Sequence, residues 1–166
     1  MQQSAQAAVA PRFDQLIAQA LPNQCGLAAW QALVRAHATL MRQLATALVD
    51  EIGLTLGDFD VLAHLAQAGG ELRMSELAAQ AYSSRSGMTR RIDRLVDEGL
   101  VCRASTDSDG RGVVVGLTDA GTARLREAVP VHLHHVSALF VAKLTDKELC
   151  TLAGAMNKVA TPCSFG

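Results

Sequence analysis

Apolar residues recur with a helical period along most of the chain. Phe13, Leu16, Ile17 and Leu21 predict a short leading helix that stops at Pro22, which cannot continue a helix without strain. From about Gly26 to Glu51, Trp30, Leu33, Val34, His37, Leu40, Met41, Leu44 and Leu48 keep the i, i+3, i+4, i+7 spacing and predict one long amphipathic helix, ended by Gly53. "TLGDFDVLAHL" predicts the next helix, from about Leu56 to Gln67, with Thr55 as N-cap and Asp58 as the acidic half of a capping box. Gly69 and Gly70 break it, and "ELR" is a short extended piece. "MSELAAQAY" opens a helix with Ser75 near its cap, and Ser83 or Ser84 caps the one that follows, "SSRSGMTRRIDRLVDEGL".

The period then changes. "LVCRAST" and "RGVVVGLT" are rich in β-branched residues and flank "DSDG", which predicts a β-hairpin with Asp107 to Gly110 at its tip. Thr118 caps another long helix through Leu125, Val129, Leu133, Val136, Leu139 and Phe140, kinked at Pro130. "TDKE", Thr145 to Glu148, is a second capping box and opens a final helix through Leu149, Leu152 and Met156. The fold class is mainly α with a small β-hairpin.

With 166 residues there is room for one domain with a core, or a small domain with helical arms, but not for two large domains. The four cysteines, Cys25, Cys102, Cys150 and Cys163, are scattered without a C-x-x-C pair, so reduced thiols are expected, with Cys102 buried on its strand. No apolar run approaches the roughly 18 residues of a membrane span. "MQQSAQAAVAPRF" lacks the basic start and apolar stretch of a secretory signal, so a cytoplasmic protein without a membrane partner is expected. No nucleophile with a base, paired carboxylates or phosphate-binding glycine loop is visible, and neither an enzyme nor a cofactor is expected.

Charge is distributed unevenly. The net charge is only -1, yet Arg85, Arg90, Arg91 and Arg94 fall within ten consecutive residues. On a helical wheel Met88, Ile92, Leu95 and Val96 share one face, while Ser86, Thr89, Arg90, Asp93 and Arg94 point away from it. A helix, a short turn, a second helix with a polar and basic outer face, and then a hairpin is the order of a winged helix-turn-helix, whose second helix enters a DNA major groove. Ser84, Ser86 and Arg85 near the helix start suit a phosphate. Arg90 and Arg94 reach phosphates or the acceptor edge of guanine, and Arg91 turns toward the packed side. Arg111, at the hairpin tip, is placed for the neighbouring minor groove. Two other readings stay open: surface ion pairs with Asp93, Asp97 and Glu98, and a winged helix used only for protein association.

The stretches "LTLGDFDVLAHL", "MSELAAQAYSSRSGMTRRIDRLVDEGLV" and "DSDGRGVVVGLTDAG" resemble the MarR family of bacterial transcription regulators, over about Trp30 to Val159. The resemblance implies a winged helix-turn-helix over residues 55–117, flanked by dimerisation helices over residues 12–52 and 118–160. It assigns the recognition helix to Ser84 through Glu98 and the wing to Val101 through Leu117. Arg111 matches the wing arginine, preceded by Asp109 and by Gly110, where many members carry a further basic residue. It also implies a homodimer on double-stranded DNA, with recognition helices about one turn apart on a pseudo-palindromic operator, acting as a repressor released by a small-molecule effector.

Two switches are open on this resemblance. Trp30 and His37, on the long first helix, are the candidates for binding a small aromatic or phenolic effector. Cys25 stands close to where the family's hydroperoxide sensors carry their reactive cysteine, and a helix N-terminus favours thiolate. Around it, however, those sensors place aromatic partners that this sequence lacks. "HLHH" puts His132 and His135 on one helix face, but no carboxylate or cysteine lies close by in sequence to complete a metal site, so a solvated or interface cluster is expected and no metal.

Overall fold

The computed structural model describes residues 15–17, 20, 24–80, 85–105 and 113–160. Of the leading helix, Gln15 to Ile17 and Ala20 are helical and the rest lies outside the described residues. The chain divides into two compact units at Arg42. Helix α1, Gln24–Ile52, starts in the first and ends in the second. In the first unit α1 exposes Trp30, Leu33, Val34 and Met41.

The second unit holds the core. After α1 come α2 (Leu56–Gln67), β1 (Glu71–Arg73), α3 (Met74–Gln80), α4 (Arg85–Asp97), β2 (Val101–Ser105), β3 (Val113–Leu117), α5 (Asp119–Leu139), a 3-10 turn and α6 (Asp146–Ala160). Leu48 of α1, Val61, Leu62 and Leu65 of α2, Leu77 of α3, Met88, Ile92 and Leu95 of α4, and Val115 of β3 are its fully buried side chains. The apolar face predicted for the fourth helix is therefore the packed one.

Local chemistry sets the boundaries. Gly53 ends α1 at φ +65, a left-handed conformation that costs glycine little. Thr55 is extended, and its Oγ1 accepts from the Asp58 backbone N–H at 3.2 Å, capping α2. At the start of α3 the helix begins at Met74, so Ser75 lies inside the first turn; the backbone N–H of Arg73 donates to Glu76 Oε2 at 3.1 Å instead. Thr145 and Glu148 make the second capping box in full, through Thr145 N–H to Glu148 Oε2 at 2.8 Å and Glu148 N–H to Thr145 Oγ1 at 3.4 Å. The Thr145 backbone N–H, then its hydroxyl, hold the Glu148 carboxyl below the usual range. Helix α5 continues through Pro130.

"ELR" has a partner that periodicity does not reveal. β1 pairs antiparallel with β3, Leu72 opposite Val115, and β2 pairs with the other side of β3, giving the order β1-β3-β2. Cys102 is exposed, against the expectation of burial. Val101 takes the core side of the pleat, so the next residue faces away, and Cys102 lies opposite Gly116, which has no side chain to cover it.

Candidate nucleic-acid interface

Helix α4 is fixed at its C-terminal end before it presents anything. Gly99, at φ +71, and Leu100 return their N–H groups to Val96 O and Leu95 O, both at 2.9 Å, closing a Schellman motif. Thr118, the cap of α5, donates its hydroxyl to Gly99 O at 2.7 Å and Leu100 O at 3.0 Å, while accepting from Gly121 N–H at 3.0 Å. A single threonine thus joins the end of α4, the exit of β3 and the start of α5. Gly121 permits the approach, because a Cβ there would stand 2.0 Å from Leu100 O.

Opposite the packed face, Ser86, Thr89, Arg90, Asp93 and Arg94 are exposed, as the wheel predicts. Arg90 makes no ion pair among the described residues. Arg94 differs. Its guanidinium pairs with Asp58 of α2 and lies 3.7 Å from Glu98, while half of the side chain stays exposed. Arg91, turned toward the packed side as expected, also faces Asp58, at 3.5 Å. Arg94, expected with Arg90 as a groove candidate, thus lies on the outward face while its guanidinium also holds Asp58 of α2. The acidic residue at position 58 that belongs to the cap of α2 is also the partner of Arg94.

A second connection joins α4 to the sheet. Arg103 of β2 donates to Asp93 of α4 at 2.6 Å, tying the wing strand to the helix. Arg85 opens α4, whereas Ser84, Asp109 and Arg111, with the turn before α4 and the hairpin tip, lie outside the described residues.

The remaining candidates are placed elsewhere. Trp30 and His37 are exposed on α1, and Cys25 is exposed in the first turn of α1 rather than ahead of it. Cys150 is exposed on α6, and Cys163 lies outside the described residues. His132 stacks on Phe59 with ring centroids 4.5 Å apart, and its Nδ1 is buried without a hydrogen-bond partner among the described residues. Burial pushes the His132 pKa down, against the attraction of Asp60 and with the repulsion of His135. Burial also raises Asp60, against His64, His132 and Arg91. His135 Nε2 lies 2.5 Å from Glu51. Among the described residues no group of three or more His, Cys, Asp or Glu is disposed to hold a metal ion. Among them, too, no helix is long and apolar enough to cross a membrane.

A helix with one face locked into the core and a polar, basic face outward, braced to the β2–β3 hairpin of a three-stranded sheet, defines a winged helix-turn-helix of the DNA-binding class. The sequence model of the MarR family matches residues 52–112. An HTH-type transcriptional regulator of Bacillus cereus is 30% identical over 137 residues, 82% of this chain and 90% of the relative. An HTH-type transcriptional repressor of Mycobacterium tuberculosis is 34% identical over 113 residues, 68% of this chain and 79% of the relative. Among solved structures, a MarR family transcriptional regulator of Streptomyces coelicolor in complex with DNA superposes with a TM-score of 0.76 at 30% identity, covering 82% of this chain and 88% of that one. The chain belongs to the MarR family of DNA-binding transcriptional regulators. These relatives are transcription regulators and not enzymes.

Proposed function

We propose that this protein is a dimeric repressor that reads a pseudo-palindromic operator and leaves it when a small molecule binds. The observation that carries the DNA-reading part is the outward face of α4, where Ser86, Thr89 and Arg90 stand exposed while Met88, Ile92 and Leu95 behind them are fully buried. A helix so anchored offers side chains to base edges without ordering itself at the moment of binding. In this reading Arg90 reaches guanine or a phosphate, Ser84 and Arg85, which precede and open α4 in sequence, are the phosphate candidates, and Arg111, after Asp109, is the candidate for the minor groove. The Streptomyces relative, held on DNA, supports the same use of this fold, and the Mycobacterium repressor supports the direction of control.

The exposed apolar stripe of α1, Trp30, Leu33, Val34 and Met41, supports a second copy as partner, since a monomer gains nothing from leaving such a stripe in water; the half-buried Leu149, Leu152 and Met156 of α6 support it separately. Trp30 and His37 offer an aromatic ring and an imidazole to an anionic aromatic or phenolic effector. Cys25 gives the oxidant alternative, supported by its exposure in the first turn of α1.

The test is binding to a duplex selected from random sequence by the purified protein, followed by fluorescence anisotropy. Sedimentation should give twice the 17.5 kDa chain mass, free and on DNA. Affinity should fall steeply with salt, by a log-log slope of about -0.9 per phosphate neutralised. Arg90→Ala should weaken selected-site binding by about 1–3 kcal/mol with the dimer intact. Binding indifferent to both salt and Arg90→Ala would return the protein to the association-module reading.

A further inference from the structure

Asp58 stands apart from the other acidic residues of this chain. At 4% exposure it is the buried charged residue among those described, and it sits in the first turn of α2. Its Oδ2 accepts from the Thr55 hydroxyl at 2.5 Å, and its Oδ1 meets both Arg94 and Arg91. Such a carboxylate is expensive to bury unless cations and donors surround it, and here two guanidinium groups of one helix do so.

The neighbouring position is built for the same contact. The Arg91 guanidinium lies across Gly57 so closely that a Cβ on residue 57 would fall 1.6 Å from Nη1. "GD" at positions 57 and 58 therefore supplies a bare backbone for one arginine to lie on and a short anion to hold two. Around α4, Arg94 is about 40° from Arg90 and about 60° from Arg91 at 100° per residue. Holding Arg91 and Arg94 thus fixes the rotation of the helix that aims Arg90.

We propose that Asp58, seated beside Gly57, is a positioning residue for DNA recognition: it withdraws Arg91 and Arg94 from phosphates and fixes the face of α4 that reads bases. The inference rests on the DNA-reading role of α4. Its consequence is a division among the arginines. Left unheld, Arg91 and Arg94 would strengthen binding to any duplex, because phosphate contacts carry little sequence information. Held, they leave discrimination to the outward residues.

Asp58→Asn keeps the shape and an acceptor for the Thr55 hydroxyl while removing the charge. Expected are tighter binding to a scrambled duplex, a smaller ratio of selected-site to scrambled-site affinity, and a salt slope steeper by about 0.9 for each additional phosphate engaged. Both duplexes are measured on the dimer, normalised to the DNA-competent fraction. Gly57→Ala, which keeps Asp58 but displaces Arg91, should move ratio and slope the same way. Adding Arg91→Gln to Asp58→Asn should bring the slope back toward wild type. A merely structural role would lower the melting temperature and competent fraction while leaving ratio and slope unchanged, and that result would overturn the proposal. Should Asp58→Asn fail to fold, Gly57→Ala decides alone by the same criterion. Absence of duplex binding by the wild type would instead defeat the DNA-reading role on which the inference rests.

Discussion

Asp93 and Arg103 join α4 to β2 across 2.6 Å, from the outward side of the helix to the edge strand of the sheet. Both side chains are substantially exposed, so the pair adds only about 0.2–1 kcal/mol to folding. Its larger effect is expected on the angle between α4 and β2, the two elements proposed to reach DNA together. Arg103→Ala should leave the melting temperature within a few degrees of wild type. It should weaken selected-site binding by about 1 kcal/mol, roughly fivefold. The exchanged pair, Asp93→Arg with Arg103→Asp, separates bracing from a direct phosphate contact. Restored affinity in anisotropy titrations is expected for a brace; no restoration would show that Arg103 acts on DNA itself.

Gly121 should be intolerant for a reason visible in the backbone. A Cβ there meets Leu100 O at 2.0 Å and Leu117 Cδ1 at 2.9 Å, and the first obstacle is a carbonyl that cannot rotate away. Gly121→Ala should therefore cost about 1–3 kcal/mol as an overpacked contact, despite alanine's better helix propensity. Chemical denaturation should show the midpoint shifted to lower urea with an unchanged slope. A neutral or stabilised variant would mean that α5 starts farther from the end of α4 than described.

The difference between what was and was not legible in the sequence follows the range of each interaction. Thr55, Thr118 and the Thr145–Glu148 box mark helix starts through residues three apart, and the structure has each cap where the sequence puts it. Met88, Ile92 and Leu95 declare the packed face of α4 by period alone, and all three are fully buried. Pairings across long sequence separations left no such mark. Arg94 meets Asp58 from 36 residues away, and Leu72 finds Val115 across an intervening helix-turn-helix. Exposure on a wheel says which way a side chain leaves its own helix, not which neighbour it then meets: Arg94 leaves α4 outward yet meets Asp58. Cys102 is exposed where burial was expected, because strand membership implies burial only on one side of the pleat.

Arg124 predicts a stability effect without a change in DNA reading. On α5, it donates to the backbone carbonyl of Ile52, at the C-terminal end of α1, and its other nitrogen pairs with Glu127 at 3.1 Å. A cation at a helix C-terminus satisfies an orphan carbonyl and complements the helix dipole. Arg124→Met keeps most of the stem and should lower stability by about 1 kcal/mol. Arg124→Lys should recover part of that loss. The ratio of selected to scrambled duplex affinity should not move in either variant, which distinguishes this contact from the one at Asp58.

His132 sets the expected response to acid. Its folded pKa is lowered, chiefly by burial, so its contribution to stability is present above the unfolded imidazole value of about 6.5 and is lost as the pH falls below it. Geometry gives the same sign, since a proton placed on the buried Nδ1 would find no acceptor among the described residues. Asp60 works in the opposite direction: burial raises its folded pKa, so its ionised form costs stability at neutral pH, and the cost is relieved as pH falls through that raised value. Protonating Asp60 also removes the charge that favours a proton on His132. The two effects oppose each other in acid. Urea midpoints measured at pH 7.5 and 5.5 should therefore fall for the wild type, and fall less for His132→Gln, which cannot take up the proton. An equal fall in both proteins would place the acid-sensitive group elsewhere. Asp60→Asn should stabilise the protein at pH 7.5 and steepen the loss toward pH 5.5, because it removes the attraction opposing the His132 shift.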